Sequence, residues 1–253
     1  MDQIIMANTP HIIRMTENGP NGLSPMDLDS DDFQSPLPNQ NVHVYFSDNK
    51  RGLNVGIWDT TSMQEAFGPY PGDEFIVVVE GAFSMLDSNE NGVSADQGQL
   101  VAFRNGIPVS WKQEGYLKKF YLTLLHPESD TPKIATADGG VIVIDPTAEL
   151  TDDDTLPSNG DAAIERQREY FTNDDGSMTV GLWDCQAFEG DMEPFPSHEL
   201  VQMVAGEVTI REPGGISQTF IAGDAFFVPK GTQCSWHVPH YIRKFFAAVD
   251  YED

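Results

Sequence analysis

The chain has 253 residues, 40% of them hydrophobic, and its 14 basic against 40 acidic side chains leave a net charge of −26. That length can bury one large core or two of ordinary size. So strong a negative charge repels phosphate backbones and anionic lipid surfaces, which excludes nucleic acid and membrane as partners.

No segment approaches the roughly 20 apolar residues that span a bilayer. The opening MDQIIMANTPHIIRM has neither the basic start nor the apolar run of a signal sequence. Cys185 and Cys234 make no disulfide framework. The expected location is the cytoplasm.

In chain order, residues 9–41 form a leader rich in Pro, Asp, Ser and Asn, whose acidic stretch MDLDSDDF is expected to be poorly ordered. Short β-branched and aromatic runs follow, among them VGIWD (55–59), FIVVVEGAFSML (75–86), QLVAFRNG (99–106) and KKFYLTLL (118–125). A second leader, 126–165, contains the acidic ELTDDDTLP and a strand-like GGVIVID (139–145). GDAAIERQREYF (160–171) is the best helix candidate. Beyond it come VGLWD (180–184), LVQMVAGEVTI (200–210), DAFFVPKG (224–231) and RKFFAAVDY (243–251). Turn residues separate these runs every eight to twelve positions, which predicts an all-β sandwich or barrel. Gly81 and Gly206 fall where a strand must turn back sharply.

The pattern is written twice. A constant shift of 170 − 45 = 125 lays Tyr45-Phe46 on Tyr170-Phe171, VGIWD on VGLWD, Ser110-Trp111 on Ser235-Trp236 and Lys119-Phe120 on Lys244-Phe245. Gly98 and Gly106 fall on Gly223 and Gly231 with no insertion between. A period of this length is a domain's length, so the expectation is duplication into two domains, 1–125 and 126–253.

Glu74 and Glu199 each precede an apolar run, with Gly81 and Gly206 seven residues on. These residues resemble the cupin superfamily, and the layout looks like its cupin-3 branch of ureidoglycine aminohydrolase and ethanolamine-utilisation cupins. The similarity covers about 42–125 and 167–250. It implies a bicupin: two tandem jelly-roll (double-stranded β-helix, RmlC-like) barrels, many of whose relatives hold a metal at the open end.

The departures fall at the ligand positions. The cupin first motif, G-x5-H-x-H-x3,4-E-x6-G, meets Glu193 and Phe195 at its histidines in the second half, and Gly68 and Tyr70 in the first. The second motif, G-x5-P-x-G-x2-H-x3-N, keeps Gly223, Pro229 and Gly231 but has Cys234 for His and Val238 for Asn. In the first half Arg104, Val109 and Gln113 stand at the corresponding places. Ureidoglycine aminohydrolases carry Glu, His, His and Gln around manganese; here Glu193 keeps the leading Glu and Gln233 lies near the Gln, while Phe195 and Glu199 replace both histidines.

Period-two alternation puts Glu193, Phe195, Glu199, Cys234 and Trp236 on the inward face, and His198 and His237 outward. Trp58 and Trp183 read as packing residues, and Asp59 and Asp184 as local turn formers. His11, His43, His126 and His240 carry no spacing signal.

The leading reading is a protein that binds a small polar molecule, with the conventional metal site lost. Its first barrel is structural, with Tyr70, Glu74 and Trp111 as the pocket-lining candidates of that half. Its second barrel's mouth, lined by Glu193, Phe195, Glu199, Cys234 and Trp236, is the pocket. A competing reading is a metal-dependent hydrolase or dioxygenase, with Mn, Fe or Zn held by Glu193, Glu199 and Cys234 or His198. A third makes both barrels scaffolding, and family habit implies a homodimer. Whether the chain is an enzyme stays open at this point.

Overall fold

The computed structural model describes residues 10–125, 140–157 and 163–251, and among them there is no α-helix. Every ladder is antiparallel. In the first half, a seven-stranded sheet runs Val141–Ile144, Leu100–Phe103, Asp73–Glu80, Leu117–Leu124, Leu53–Thr60, Gln40–Asp48, Ser24–Pro25. A five-stranded sheet of Met63–Gln64, Pro108–Gln113, Ala82–Leu86 and Gly92–Asp96, with Gly68–Pro69 attached, closes this barrel. In the second half, His198–Glu212 and Gln233–Val249 are long enough to bend through both layers of the barrel, with register shifts at the bends.

The unbroken run FIVVV follows from burial on both faces. Phe75 and Val77 join a core between the halves, with Phe120, Leu122, Leu200, Phe227 and Phe245. Ile76 and Val78 alternate with them and point into the first barrel, beside Phe103 and Trp111. The second half repeats the arrangement, with Leu200 between the barrels and Val201 and Met203 inside. Neither face is left for water, so no polar alternation is written. Each of these side chains contributes about 1.5–3 kcal/mol by leaving solvent.

The leaders cross over. Ile13–Met15 pairs with Ala225–Val228 of the second half, and Val141–Ile144 pairs with Leu100–Phe103 of the first. Each covers an edge strand that would otherwise expose unpaired backbone groups. The strand expected at 139–145 therefore forms as Val141–Ile144, but in the sheet of the other half, with residue 139 outside the described region.

Three local expectations change. The predicted helix over 160–171 is a strand, Glu165–Thr172, laid on Met178–Glu189, with its first residues 160–162 outside the described region. Its Glu, Arg and Gln residues favour helix only weakly. The ladder, the Arg166 fork on Asp184 (2.9 and 2.6 Å) and the Arg168 fork on Asp154 (3.0 and 2.6 Å) override that preference. The Arg168 fork also holds ELTDDDTLP, which makes a 3-10 turn at Asp152–Asp154; MDLDSDDF makes one at Ser30–Asp32, where the Asp29 carboxylate accepts from the Asp31 backbone N–H. Asp59 and Asp184 bond across strands rather than within turns, each accepting from a tyrosine hydroxyl (Tyr116 at 2.8 Å, Tyr241 at 2.9 Å). His126 lies outside the described residues.

Candidate functional site

Alternation along Leu117–Leu124 sends Phe120, Leu122 and Leu124 to the core between barrels, so Lys119, Tyr121 and Thr123 face the first barrel's interior. A lysine there must find a partner or lose its charge. Lys119 Nζ donates to Glu74 Oε1 at 2.9 Å, and both residues are buried, 8% and 5% exposed. The Tyr70 hydroxyl donates to the other Glu74 oxygen.

The ammonium lies 5.1 Å from the Trp58 ring centre and 4.7 Å from that of Trp111, over their π faces. The indoles are tethered in turn, Trp58 Nε1 to Gln40 at 3.3 Å and Trp111 Nε1 to Gln113 at 2.8 Å. Above this floor is a cavity of about 270 Å³ lined also by Glu65, Met63, Tyr121 and Thr123. Burial raises the Tyr70 and Tyr121 hydroxyls well above their ordinary values, so both remain protonated donors.

The second barrel builds the same floor. Lys244 pairs with Glu199, both buried, and its ammonium lies 5.2 Å from Trp183 and 4.9 Å from Trp236. Trp183 Nε1 donates to Glu165 at 3.0 Å, the counterpart of Trp58 on Gln40. The walls differ. Phe195 takes the place of Tyr70, so Glu199 gets no phenol, and Val238 takes the place of Gln113. The buried Trp236 indole N–H consequently has no hydrogen-bond partner among the described residues. The cavity here is about 280 Å³, with Phe188, Phe195, Cys234 and Trp236 as walls and Asp191 and Glu193 at an exposed mouth.

Of the residues the sequence singled out, Glu193, Phe195, Cys234 and Trp236 line this second cavity together, above Lys244 and Glu199. Tyr70, Glu74 and Trp111 line the first. His198 lies apart, on the other face of its strand from Glu199. Its ring stacks parallel on Phe227 at 6.1 Å, meets Phe46 of the first half at 5.1 Å, and accepts the Lys230 backbone N–H at 3.2 Å. Burial lowers its pKa, holding it neutral in this seam. His237 pairs with Glu189, and Gln233 is exposed. Burial pushes the Cys234 thiol up and so keeps it protonated, with the neighbouring Trp236 indole pulling the other way.

Sequence reading missed Lys119, Lys244 and Glu65, and took Trp58 and Trp183 for packing alone. The signal was present. In KKFYLTLL and RKFFAAVDY, one of the two adjacent basic positions must share a face with inward residues.

Two antiparallel barrels with a cup at each mouth define the class by fold as cupin-type. Residues 172–246 match the family described as an EutQ-like cupin domain, which supports a cupin-3 family. The chain is similar in structure to a protein of unknown function from Pseudomonas syringae pv. tomato (21% identity, 95% of this chain and 100% of that one, TM-score 0.73). It is also similar to a cupin 2 conserved barrel domain protein from Leptotrichia buccalis (9%, 90% and 96%, TM-score 0.57). The protein Ylba from E. coli is a third (11%, 98% and 94%, TM-score 0.57). Identities this low speak for the fold. Comparison with curated protein sequences gave no match.

Proposed function

We propose that this chain is a small-molecule-binding bicupin in which a lysine ammonium takes the role of central cation that metal cupins give to a transition metal. The carrying observation is the buried lysine–glutamate pair beneath two tryptophan faces, present in both halves at positions related by the 125-residue shift: Lys119, Glu74, Trp58 and Trp111 against Lys244, Glu199, Trp183 and Trp236.

The donor set supports a metal-free reading. Glu199 is already engaged by Lys244, so its carboxylate is not free to serve as a metal ligand. The Cys234 thiol is held protonated, and His198 is turned into the seam between the barrels. Among the described residues no three of His, Cys, Asp and Glu gather as ligands. The second cup, with Phe188 and Phe195 in its wall and a buried Trp236 N–H that has no hydrogen-bond partner among the described residues, is the primary site for a small polar ligand.

Elemental analysis of protein purified without chelator should give substoichiometric manganese, iron and zinc. A panel of small polar metabolites should include compounds that raise the melting temperature, and Trp236→Phe, which removes the N–H together with part of the ring, should abolish that rise in a variant that still unfolds cooperatively. Stoichiometric metal lost on Glu199→Gln/Cys234→Ala substitution would sink the reading in favour of a metalloenzyme.

A further inference from the structure

The first cup contains an ionisable group that its buried pair leaves unused. Glu65 is fixed by its backbone: its N–H donates to the Trp111 carbonyl at 2.8 Å, its carbonyl accepts the Ser110 hydroxyl at 2.7 Å, and it bridges to Phe33. Its half-buried side chain lines the cavity, yet the carboxyl has no hydrogen-bond or ion-pair partner among the described residues.

The charges facing it are Lys119 and Glu74 from the barrel strands and Asp32 from the leader turn. Lys119 and Glu74 cancel, so Glu65 and Asp32 leave the cup with surplus negative charge. Its walls are the rings of Trp58, Trp111, Tyr70 and Tyr121. An anion entering it would meet these carboxylates and a chain of net charge −26. A neutral ligand would leave a half-buried carboxylate unpaired. A cation satisfies the carboxylate, which is the free charge of the cup because the Trp58 and Trp111 faces already hold the Lys119 ammonium.

We propose that the first cup is a binding site for a small organic ammonium, with Glu65 as counter-ion and the aromatic rings as its walls. The site stands independently of the second-cup reading.

Proton linkage makes the proposal testable. Burial pushes the Glu65 carboxyl up to about 7, with Lys119 pulling it down and Glu74 and Asp32 adding to the rise. Below its ordinary pKa of 4.5 the group is protonated whether the chain is folded or not, and the fold bears no penalty. The penalty builds between 4.5 and about 7, and is complete above that. A bound cation recovers it.

The probe is tetramethylammonium chloride, titrated calorimetrically into the full chain at constant ionic strength, with tert-butanol as its uncharged counterpart. Wild type should bind the ammonium saturably, and about tenfold more tightly at pH 8 than at pH 6, following the ionised fraction of a group near 7. Glu65→Gln should lose most of the affinity and all of the pH dependence. The same variant should melt above wild type at pH 8 and level with it at pH 5, which also shows that it is folded. Asp191→Asn/Glu193→Gln, in the second cup, should keep both affinity and pH dependence. The proposal is overturned by pH-independent affinity, by undiminished binding in Glu65→Gln, by loss confined to the second-cup variant, by equal binding of tert-butanol, or by no saturable binding.

Discussion

Lys244→Met should destabilise the protein by about 3–5 kcal/mol, because it leaves the Glu199 carboxylate buried without its counter-charge. The double variant Lys244→Met/Glu199→Leu removes both charges and should regain most of that loss, since a buried ion pair replaced by apolar groups is often nearly neutral. The halves give an internal control. In the first barrel the Tyr70 hydroxyl still donates to Glu74 when Lys119 is removed, whereas Phe195 offers Glu199 nothing. Lys119→Met should therefore cost less than Lys244→Met in urea unfolding at pH 7.5. Equal costs would mean that the phenol does not hold the carboxylate, and a cost near zero for both would mean that water reaches the pair.

Gly206→Ala should prevent recovery of folded protein. Gly206 has φ +76°, a conformation that costs an ordinary residue about 1–2 kcal/mol, and an alanine Cβ there would lie 1.8 Å from the Tyr241 carbonyl oxygen. That oxygen is backbone in the paired strand Gln233–Val249, so no rotamer relieves the clash and the two strands must part. Gly81 repeats the geometry against Tyr116, at φ +85° and 2.2 Å. Gly215 isolates the backbone term, with φ +83° and no atom within 4 Å of an added Cβ. Gly215→Ala should fold and melt only slightly lower in a thermal scan. A Gly206→Ala protein that melts alongside Gly215→Ala would show that the bend of His198–Glu212 is not as tight as described.

The turn glycines were legible because their requirement is local: a strand running out of VVVE or MVA must reverse, and glycine accepts the positive φ at no steric cost. The all-β class was legible for the same reason, from short apolar runs between turn residues. The helix expected over 160–171 failed because Arg166 and Arg168 are held as strand by carboxylates on other segments, Asp184 and Asp154. Nothing in the local composition says so.

The site divides along the same line. Glu74 and Glu199 stood out by their spacing to glycine, and Trp111 and Trp236 by their shared register. Their partners did not, since a glutamate and a lysine 45 residues apart are joined only by the pairing of their strands.

By itself the sequence determined the doubled pattern of turns and apolar runs, the residues that stand where the resemblance expects imidazoles, and a net charge of −26. Those properties belong to single residues and their near neighbours. The tertiary structure alone decided that each leader completes the other half's sheet, that a lysine meets Glu74 and Glu199 under tryptophan faces, and that the Glu65 carboxyl has no partner among the described residues. These arise from long-range strand register and from the desolvation it imposes, which act on residues that are remote in the chain until the barrels close.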